Sequence, residues 1–303
     1  MTPYPERIVC LTEETTETLY LLGQGERIVG VSGYTVRPLE ARRKPKVSAF
    51  INAKFDKIAA LEPDLVLAFS DLQADLVAEL VRRGMNVVAF NQRTVAEILR
   101  MIRMLGGLVG CQREAEQLAD RLSADLDRIR ESAAMFPRRP RVFFEEWDAP
   151  LISGIRWVEE LVEVAGGAPI FPELADAGLA KDRIVDPAEV ARRDPQVIFA
   201  SWCGKKMKKA TIRSRPGWDT VSAVRDDRIY EIKSTYILQP RSPACRSTYA
   251  GRRFRVAVET GRPSPRGSSR SLWPSRKGFP PRAFHLCRDQ RNTRSRTGRC
   301  AGT

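Results

Sequence analysis

Between Arg113 and Met135 the chain runs for 23 residues without a glycine or a proline, and Leu118, Leu122, Leu126 and Ile129 recur there at helical spacing. An unbroken helix of that length spans about 34 Å at 1.5 Å per residue. It is long enough to brace two lobes. Just upstream, Thr94 and Glu97 have the spacing of a capping box, and Ile98, Ile102 and Leu105 form an apolar stripe that ends before Gly106-Gly107. The chain from Thr94 to Phe136 therefore reads as helix alone.

On both sides of this segment short apolar runs alternate with helical stretches. Ile8 to Leu11, Arg27 to Val31, Leu65 to Phe69 and Asn86 to Phe90 read as strands, with helices over Glu17 to Leu22, Asp56 to Leu61 and Leu72 to Arg83 between them. After Pro137 to Pro140, Val142 to Phe144, Val197 to Ser201 and Arg228 to Ile232 read as strands, with helices at Trp157 to Val164 and Pro187 to Arg192. Alternation of this kind implies mainly parallel sheets covered by helices. The predicted fold class is α/β: two Rossmann-like lobes with mainly parallel sheets, joined by a long α-helix. The expected division is an N-terminal lobe at residues 1–92, a helical segment at 93–136, a C-terminal lobe at 137–240 and an Arg-rich tail at 241–303.

Two internal echoes accompany this plan. Ile58 to Phe69, with Pro63, has the pattern of Val190 to Ser201, with Pro195, at a constant offset of 132 residues. Glu26 to Val31 similarly resembles Asp227 to Ile232. Shared βα grammar and true duplication both account for such short echoes.

Charge restricts where function is to be sought. Net charge is +14, yet residues 1–240 carry 35 basic and 35 acidic side chains, while residues 241–303 carry 16 basic and 2 acidic ones. The body is neutral, so basic composition gives it no role with nucleic acid. Its only histidine, His285, lies in the tail, which removes His-based zinc sites and Ser-His-Asp triads from the body. Cys10, Cys111 and Cys203 are far apart and read as buried thiols. Neither a secretory signal nor an apolar run long enough to span a membrane is expected.

In parallel α/β sheets ligands bind beyond the carboxyl ends of the strands. The residues at those ends include Glu14 and Thr15, Tyr34, Phe50, Phe69 to Asp71, and Glu145 to Asp148, with Ser201 to Gly204 in the second half; Trp157 follows a Ser153-Gly154 turn. Three of the body's four tryptophans, Trp147, Trp157 and Trp202, lie in or beside such positions, opposite Tyr34, Phe50 and Phe69. An aromatic cleft with Asp, Thr and Ser at its rim suits a large, flat, partly apolar ligand.

The pattern Arg7-Ile-Val, Glu13-Glu-Thr-Thr, Ile28-Val-Gly-Val-Ser-Gly-Tyr34, Phe55-Asp-Lys-Ile58 and Glu62-Pro-Asp-Leu-Val66, followed by a long helix, resembles the substrate-binding proteins of ABC importers for cobalamin and ferric siderophores. Val142 to Gly154 resembles the cobalamin-binding branch, and the likeness covers residues 7 to about 240. It implies a corrin held by aromatics in the cleft, a rigid helix between the lobes, and an acidic residue on each lobe that engages permease arginines. Carried over by position, Tyr34, Phe50 and Phe69 are corrin contacts. A further aromatic position falls near Asp182, so stacking from the C-lobe passes to Trp147 or Trp202. Asp56 stands at the N-lobe docking position. Its C-lobe counterpart is Ala188, flanked by Asp186 and Glu189.

Together with the strand-end residues, the resemblance implies a non-catalytic binder of cobalamin or a related corrinoid, with Glu14, Thr15, Tyr34, Phe50, Phe69, Asp71, Trp147, Trp157 and Trp202 as candidate ligand contacts and Asp56, Asp186 and Glu189 at the permease. It carries no covalent cofactor or metal, and cobalamin is its cargo. The expected partners are the ligand and ABC permease subunits, without nucleic acid, and the protein acts as a monomer. The family is periplasmic or cell-surface, whereas the chain as written reads as cytoplasmic. Haem or a ferric siderophore is the alternative ligand; Glu13-Glu14 and the lack of a basic cleft cluster weigh against anionic siderophores. An α/β enzyme using Asp71, Glu145, Glu146 or Asp148 as general acid or base is the rival class. Beyond Pro240 the Arg-, Ser-, Pro- and Gly-rich text has no periodicity and reads as a frameshifted or disordered stretch, with a tail that binds RNA or anionic lipid as the rival reading.

Overall fold

The computed structural model describes residues 2–238, so the Arg-rich stretch at 241–303, with His285, lies outside the described residues. The first sheet is assembled from β1 (Ile8–Cys10), β2 (Ile28–Ser32), β3 (Lys46–Ala49), β4 (Asn52–Ala53), β5 (Leu65–Phe69) and β6 (Val87–Phe90) in the order β4-β3-β2-β1-β5-β6. All neighbours are parallel except the short β3–β4 hairpin at the edge. Helices α1 (Glu13–Leu21), α2 (Phe55–Ala59) and α3 (Ala74–Arg82) connect the strands. β1 and β5 are buried on every residue, as apolar runs covered on both faces must be. Helix α1 begins at Glu13, directly after Thr12, whose extended conformation makes it the N-cap.

Helices α4 (Val95–Leu108) and α5 (Gln112–Ala134) follow, and α5 has the expected 23 residues. The capping box is formed: Thr94 Oγ1 accepts the Glu97 N–H at 3.1 Å, and the Glu97 carboxylate accepts the Thr94 N–H at 2.9 Å. Helix α4 continues through Gly106-Gly107 to Leu108 and is not broken there. Gly106 instead sits where α4 crosses α5, and a side chain there would meet the Cβ of Ala115. The absent Cβ lets the two helices close on each other.

The second sheet contains β7 (Arg141–Asp148), β8 (Leu151–Ser153), β9 (Ala168–Pro169), β10 (Val197–Ala200) and β11 (Ile229–Glu231), ordered β11-β10-β7-β8 with β9 also on β7. It is parallel except for β8, which folds back on the far end of β7. Around it lie α6 (Arg156–Val164), α7 (Pro187–Arg193), α8 (Lys209–Arg213), α9 (Ser222–Arg225) and α10 (Ser234–Ile237). β7 is longer than the Val142 to Phe144 strand expected, because pairing with β8 carries it through Trp147 to Asp148.

The two sheets share a local plan. β1 lies between β2 and β5 with β6 beyond; β7 likewise lies between β9 and β10 with β11 beyond. The 132-residue echo therefore falls on equivalent elements, α2–β5 and α7–β10. An arginine clamp repeats with it. The Arg7 N–H donates to Asp64 Oδ1 at 3.0 Å, and its Nε donates to the carbonyls of Leu61 and Glu62 at 3.1 and 3.0 Å. The Arg141 N–H donates to Gln196 Oε1 at 3.0 Å, and its Nε to the carbonyls of Arg193 and Asp194 at 3.1 and 2.9 Å. Glu62 and Asp194 both take φ 45°. In each lobe a strand-opening arginine satisfies carbonyls left over where a helix ends. The second echo fails this comparison: β2 neighbours the central strand, whereas β11 is an edge strand.

One apolar core runs through both halves. Ile8, Cys10 and Leu19 of the first sheet layer, Ile102 and Leu122 of the connecting helices, and Phe144, Trp157 and Phe199 of the second layer belong to a single buried cluster. A hinge would have to open this core, so rigid-body movement of the lobes is opposed by apolar burial.

Candidate ligand-binding cleft

The carboxyl ends of β1, β2, β3 and β5 place the N-lobe candidates. Beyond β1, Glu13 to Thr18 are buried throughout. Thr12 Oγ1 donates to the Glu14 carboxylate, Thr16 Oγ1 to the Thr12 carbonyl at 3.0 Å, and Thr18 Oγ1 to the Glu14 carbonyl at 2.8 Å. Glu14 and Thr15 thus lie in a packed first helical turn. Burial beneath this turn pushes the Cys10 thiol up to about 12, which leaves it an inert core group.

Tyr34 follows β2 and is 38% exposed. Its phenol is raised by burial and then by the nearby Cys203 and Glu13, so the N-lobe rim stands within electrostatic reach of the C-lobe loop that carries Cys203. Phe50 and Phe69 are held together by Gln73, a fully buried residue that the sequence pattern did not single out. Gln73 Oε1 accepts the Phe69 N–H at 2.9 Å, while its Nε2 donates to the Phe50 carbonyl. Phe50 takes φ 56°, and this left-handed turn brings the ends of β3 and β5 together. Phe69 is almost fully buried; the Arg93 guanidinium lies 5.7 Å from its ring and pairs with Asp71. Beside these residues Ile51 and Leu72 expose apolar side chains.

In the C-lobe the three candidate tryptophans separate. Trp147 is half-buried on β7, and its Nε1–H donates to the Ala149 carbonyl at 3.0 Å. Trp202, beyond β10, is buried; its Nε1–H donates to Glu145 Oε1 at 2.9 Å, and Arg215 grips the same carboxylate at 2.7 and 2.8 Å. Lys205 links the two rings: its ammonium lies 5.4 Å from the Trp147 ring, 4.9 Å from that of Trp202 and 2.6 Å from Asp148 Oδ2. Trp157 is not a cleft residue. It enters the shared core from the first turn of α6, where its Nε1–H donates to the Ile237 carbonyl at 3.0 Å.

Two further expectations need correction. Cys203 is exposed, not a buried thiol, because the chain turns outward after Trp202. A basic cluster does occur at a strand end, since the segment after β10 carries Lys205, Lys206, Lys208 and Lys209. Each proposed acid–base carboxylate is meanwhile engaged: Asp71 by Arg93, Glu145 by Arg215, Glu146 by Arg183 and Asp148 by Lys205.

The docking candidates are placed as follows. Asp56, in the first turn of α2, has a fully exposed side chain 3.0 Å from Arg83. Asp186 caps α7, its Oδ1 accepting the Ala188 N–H at 2.8 Å. Glu189 is gripped by Arg192 and Arg193, whose hydrogen bonds hold it at about 2. A small pocket of about 100 Å³ also lies between the start of α4 and the C-lobe, lined by Arg93, Glu97, Ile155, Arg156 and Asp176 among others. Among the described residues no group of three or more His, Cys, Asp or Glu is arranged to hold a metal, and no helix is long and apolar enough to cross a membrane.

Two α/β lobes on a helical brace, with aromatic side chains at the carboxyl ends of the strands in both sheets, have the build of a cleft-type ligand-binding protein. Residues 8–236 match the periplasmic binding protein family, and the chain belongs to it. It is similar to YvrC, an ABC transporter substrate-binding lipoprotein of Bacillus subtilis, with 27% identity over 242 residues that cover 75% of this chain and 73% of the relative. The vitamin B12-binding protein of Vibrio cholerae is 27% identical over 244 residues, 78% of this chain and 85% of that protein. Among solved structures, the haem-binding protein RhuT of Roseiflexus superposes with TM-score 0.72 and 23% identity over 84% of this chain and 99% of that one. BtuF, the vitamin B12-binding protein of Vibrio cholerae, superposes with TM-score 0.69 and 23% identity over 85% and 98%. These structures share the fold. The chain is a substrate-binding protein of the ABC importer class, a transport component and not an enzyme.

Proposed function

We propose that this protein binds cobalamin or a related corrinoid in its cleft and delivers it to an ABC permease. The observation that carries this reading is the similarity to vitamin B12-binding proteins over 78% of this chain and 85% of the relative, a span that takes in both lobes and the helices between them. The jaws are residues 1–92 and 137–240, with residues 93–136 as the brace. Tyr34 and Phe50 offer ring surface from the N-lobe and Trp147 from the C-lobe, with the buried Phe69 and Trp202 as backing. Rings give contact area to a corrin face, while Asp71, exposed beyond β5, supplies a polar partner for its amide side chains and the buried turn of Glu14 and Thr15 supports the rim beneath. Asp56, Asp186 and Glu189 are the permease-facing acids, and the protein works as a monomer.

Isothermal titration of folded protein with cyanocobalamin, haem and a ferric siderophore tests the reading. Saturable heat with cyanocobalamin and weaker or absent heat with the other two is expected. A protein with intact circular dichroism that gives no corrinoid heat refutes it.

A further inference from the structure

From Cys203 to Trp218 the sequence contains six cationic side chains and no acid, in a body whose basic and acidic residues balance as a whole. The structure sorts these six. Lys205 is paired with Asp148, Lys209 and Arg213 share Asp227, and Arg215 is paired with Glu145. Lys206 and Lys208 are exposed, and among the described residues neither has an ion-pair partner. Between them Met207 is buried in the C-lobe core, and its N–H donates to Glu231 Oε1 at 3.0 Å. With Lys208 in extended conformation, a buried residue between two exposed ones places both lysines on the side opposite Met207.

The segment is anchored at both ends as well. Lys205 lies against Trp147 and Trp202, and α8 begins at Lys209. It leaves the carboxyl end of β10, where a parallel sheet presents its ligand-binding loops. Its start stands beside Trp147 and Trp202, the two aromatic residues at the strand ends of the C-lobe, through the contacts of Lys205 with both rings. Two unpaired ammonium groups on a fixed backbone favour an anionic oxygen group, through charge-assisted hydrogen bonds and at little ordering cost.

Building on the corrinoid reading, we propose that Lys206 and Lys208 hold the phosphodiester of a complete cobalamin and so set the preference of this cleft for cobalamin over corrinoids that lack it. The corrin stacks between the aromatic residues, and its anionic arm is directed to the C-lobe wall.

The test compares cyanocobalamin with dicyanocobinamide, which keeps the corrin but has no phosphodiester. Wild type and the double variant K206Q/K208Q are titrated with both at two salt concentrations. The wild type is expected to bind cyanocobalamin more tightly. The variant should lose about tenfold in affinity for cyanocobalamin, together with most of its salt dependence, while its affinity for dicyanocobinamide is unchanged. Retained cobinamide binding also shows that the variant is folded. Equal losses for both ligands, or none for either, overturn the assignment while leaving the corrinoid reading intact. A wild type that binds neither corrinoid overturns both.

Discussion

Glu159 gives this protein a pH dependence that can be worked from its surroundings. The residue lies in the first turn of α6, 5% exposed, with Gly154 so close that a side chain at that position would collide with the carboxyl group. One carboxyl oxygen, Oε2, is buried without a hydrogen-bond partner. Burial pushes the group up to about 8 from 4.5, against the lowering effects of the Gly154 N–H and Arg183 and with small raising effects from Glu163 and Glu146. The folded protein therefore holds this proton more tightly than the unfolded chain does. Stability is fully present below about pH 4.5 and falls as the pH rises towards 8, at about 1.4 kcal/mol per pH unit. Across the window the ceiling is about 4 to 5 kcal/mol. Glu159→Gln keeps the shape and carries no charge, so the slope should shrink by the Glu159 contribution, leaving that of Glu145, which burial also raises, and the variant should exceed the wild type in stability at pH 8. Urea unfolding at half-unit steps from pH 5 to 8.5 reads this directly. Parallel curves for wild type and variant would refute the reasoning. Glu97, Asp194 and Asp227, which are lowered, act below this window and do not mask it.

The remaining predictions rest on separate contacts. On the corrinoid reading, Trp147→Ala should weaken ligand binding about tenfold, with a stability cost from its lost packing against the C-lobe core. Trp157→Phe should leave affinity unchanged and cost about 1 kcal/mol through the lost bond to the Ile237 carbonyl, read by calorimetry and urea unfolding side by side. Thr94→Ala removes half of the α4 capping box and should cost about 1 kcal/mol in the same assay. Arg7→Ala and Arg141→Ala each uncap a helix end and should cost about 1 to 2 kcal/mol; because the clamps serve different lobes, the double variant should show the sum.

Much of the scaffold was legible in the sequence because its signals are local. The α5 helix follows from a run without breakers and a leucine period, the Thr94 cap from its spacing to Glu97, and β5 from an apolar run between Pro63 and Ser70. The short strands β3 and β4 were missed, since Lys46–Ala49 and Asn52–Ala53 have neither length nor alternation to mark them. Gln73 was missed for a related reason: a lone amide in a helical pattern looks like surface until two strand ends are seen to meet on it.

Sequence by itself determined the element order, the brace, the neutral charge of the body and the set of aromatic residues near strand ends. Which of those aromatics stay at the strand ends and which enter the core was decided only in three dimensions. Trp147 and Trp157 both follow apolar strands, but pairing with β8 holds Trp147 on an extended ribbon at the rim. Helix α6 packs against α5 and turns Trp157 into the shared core. The four lysines after β10 were not read as a cluster from the sequence, and partners far away in the chain, Asp148 and Asp227, determine which of them are paired. Propensity and periodicity act over a few residues, whereas burial and ion pairing depend on what the fold brings alongside.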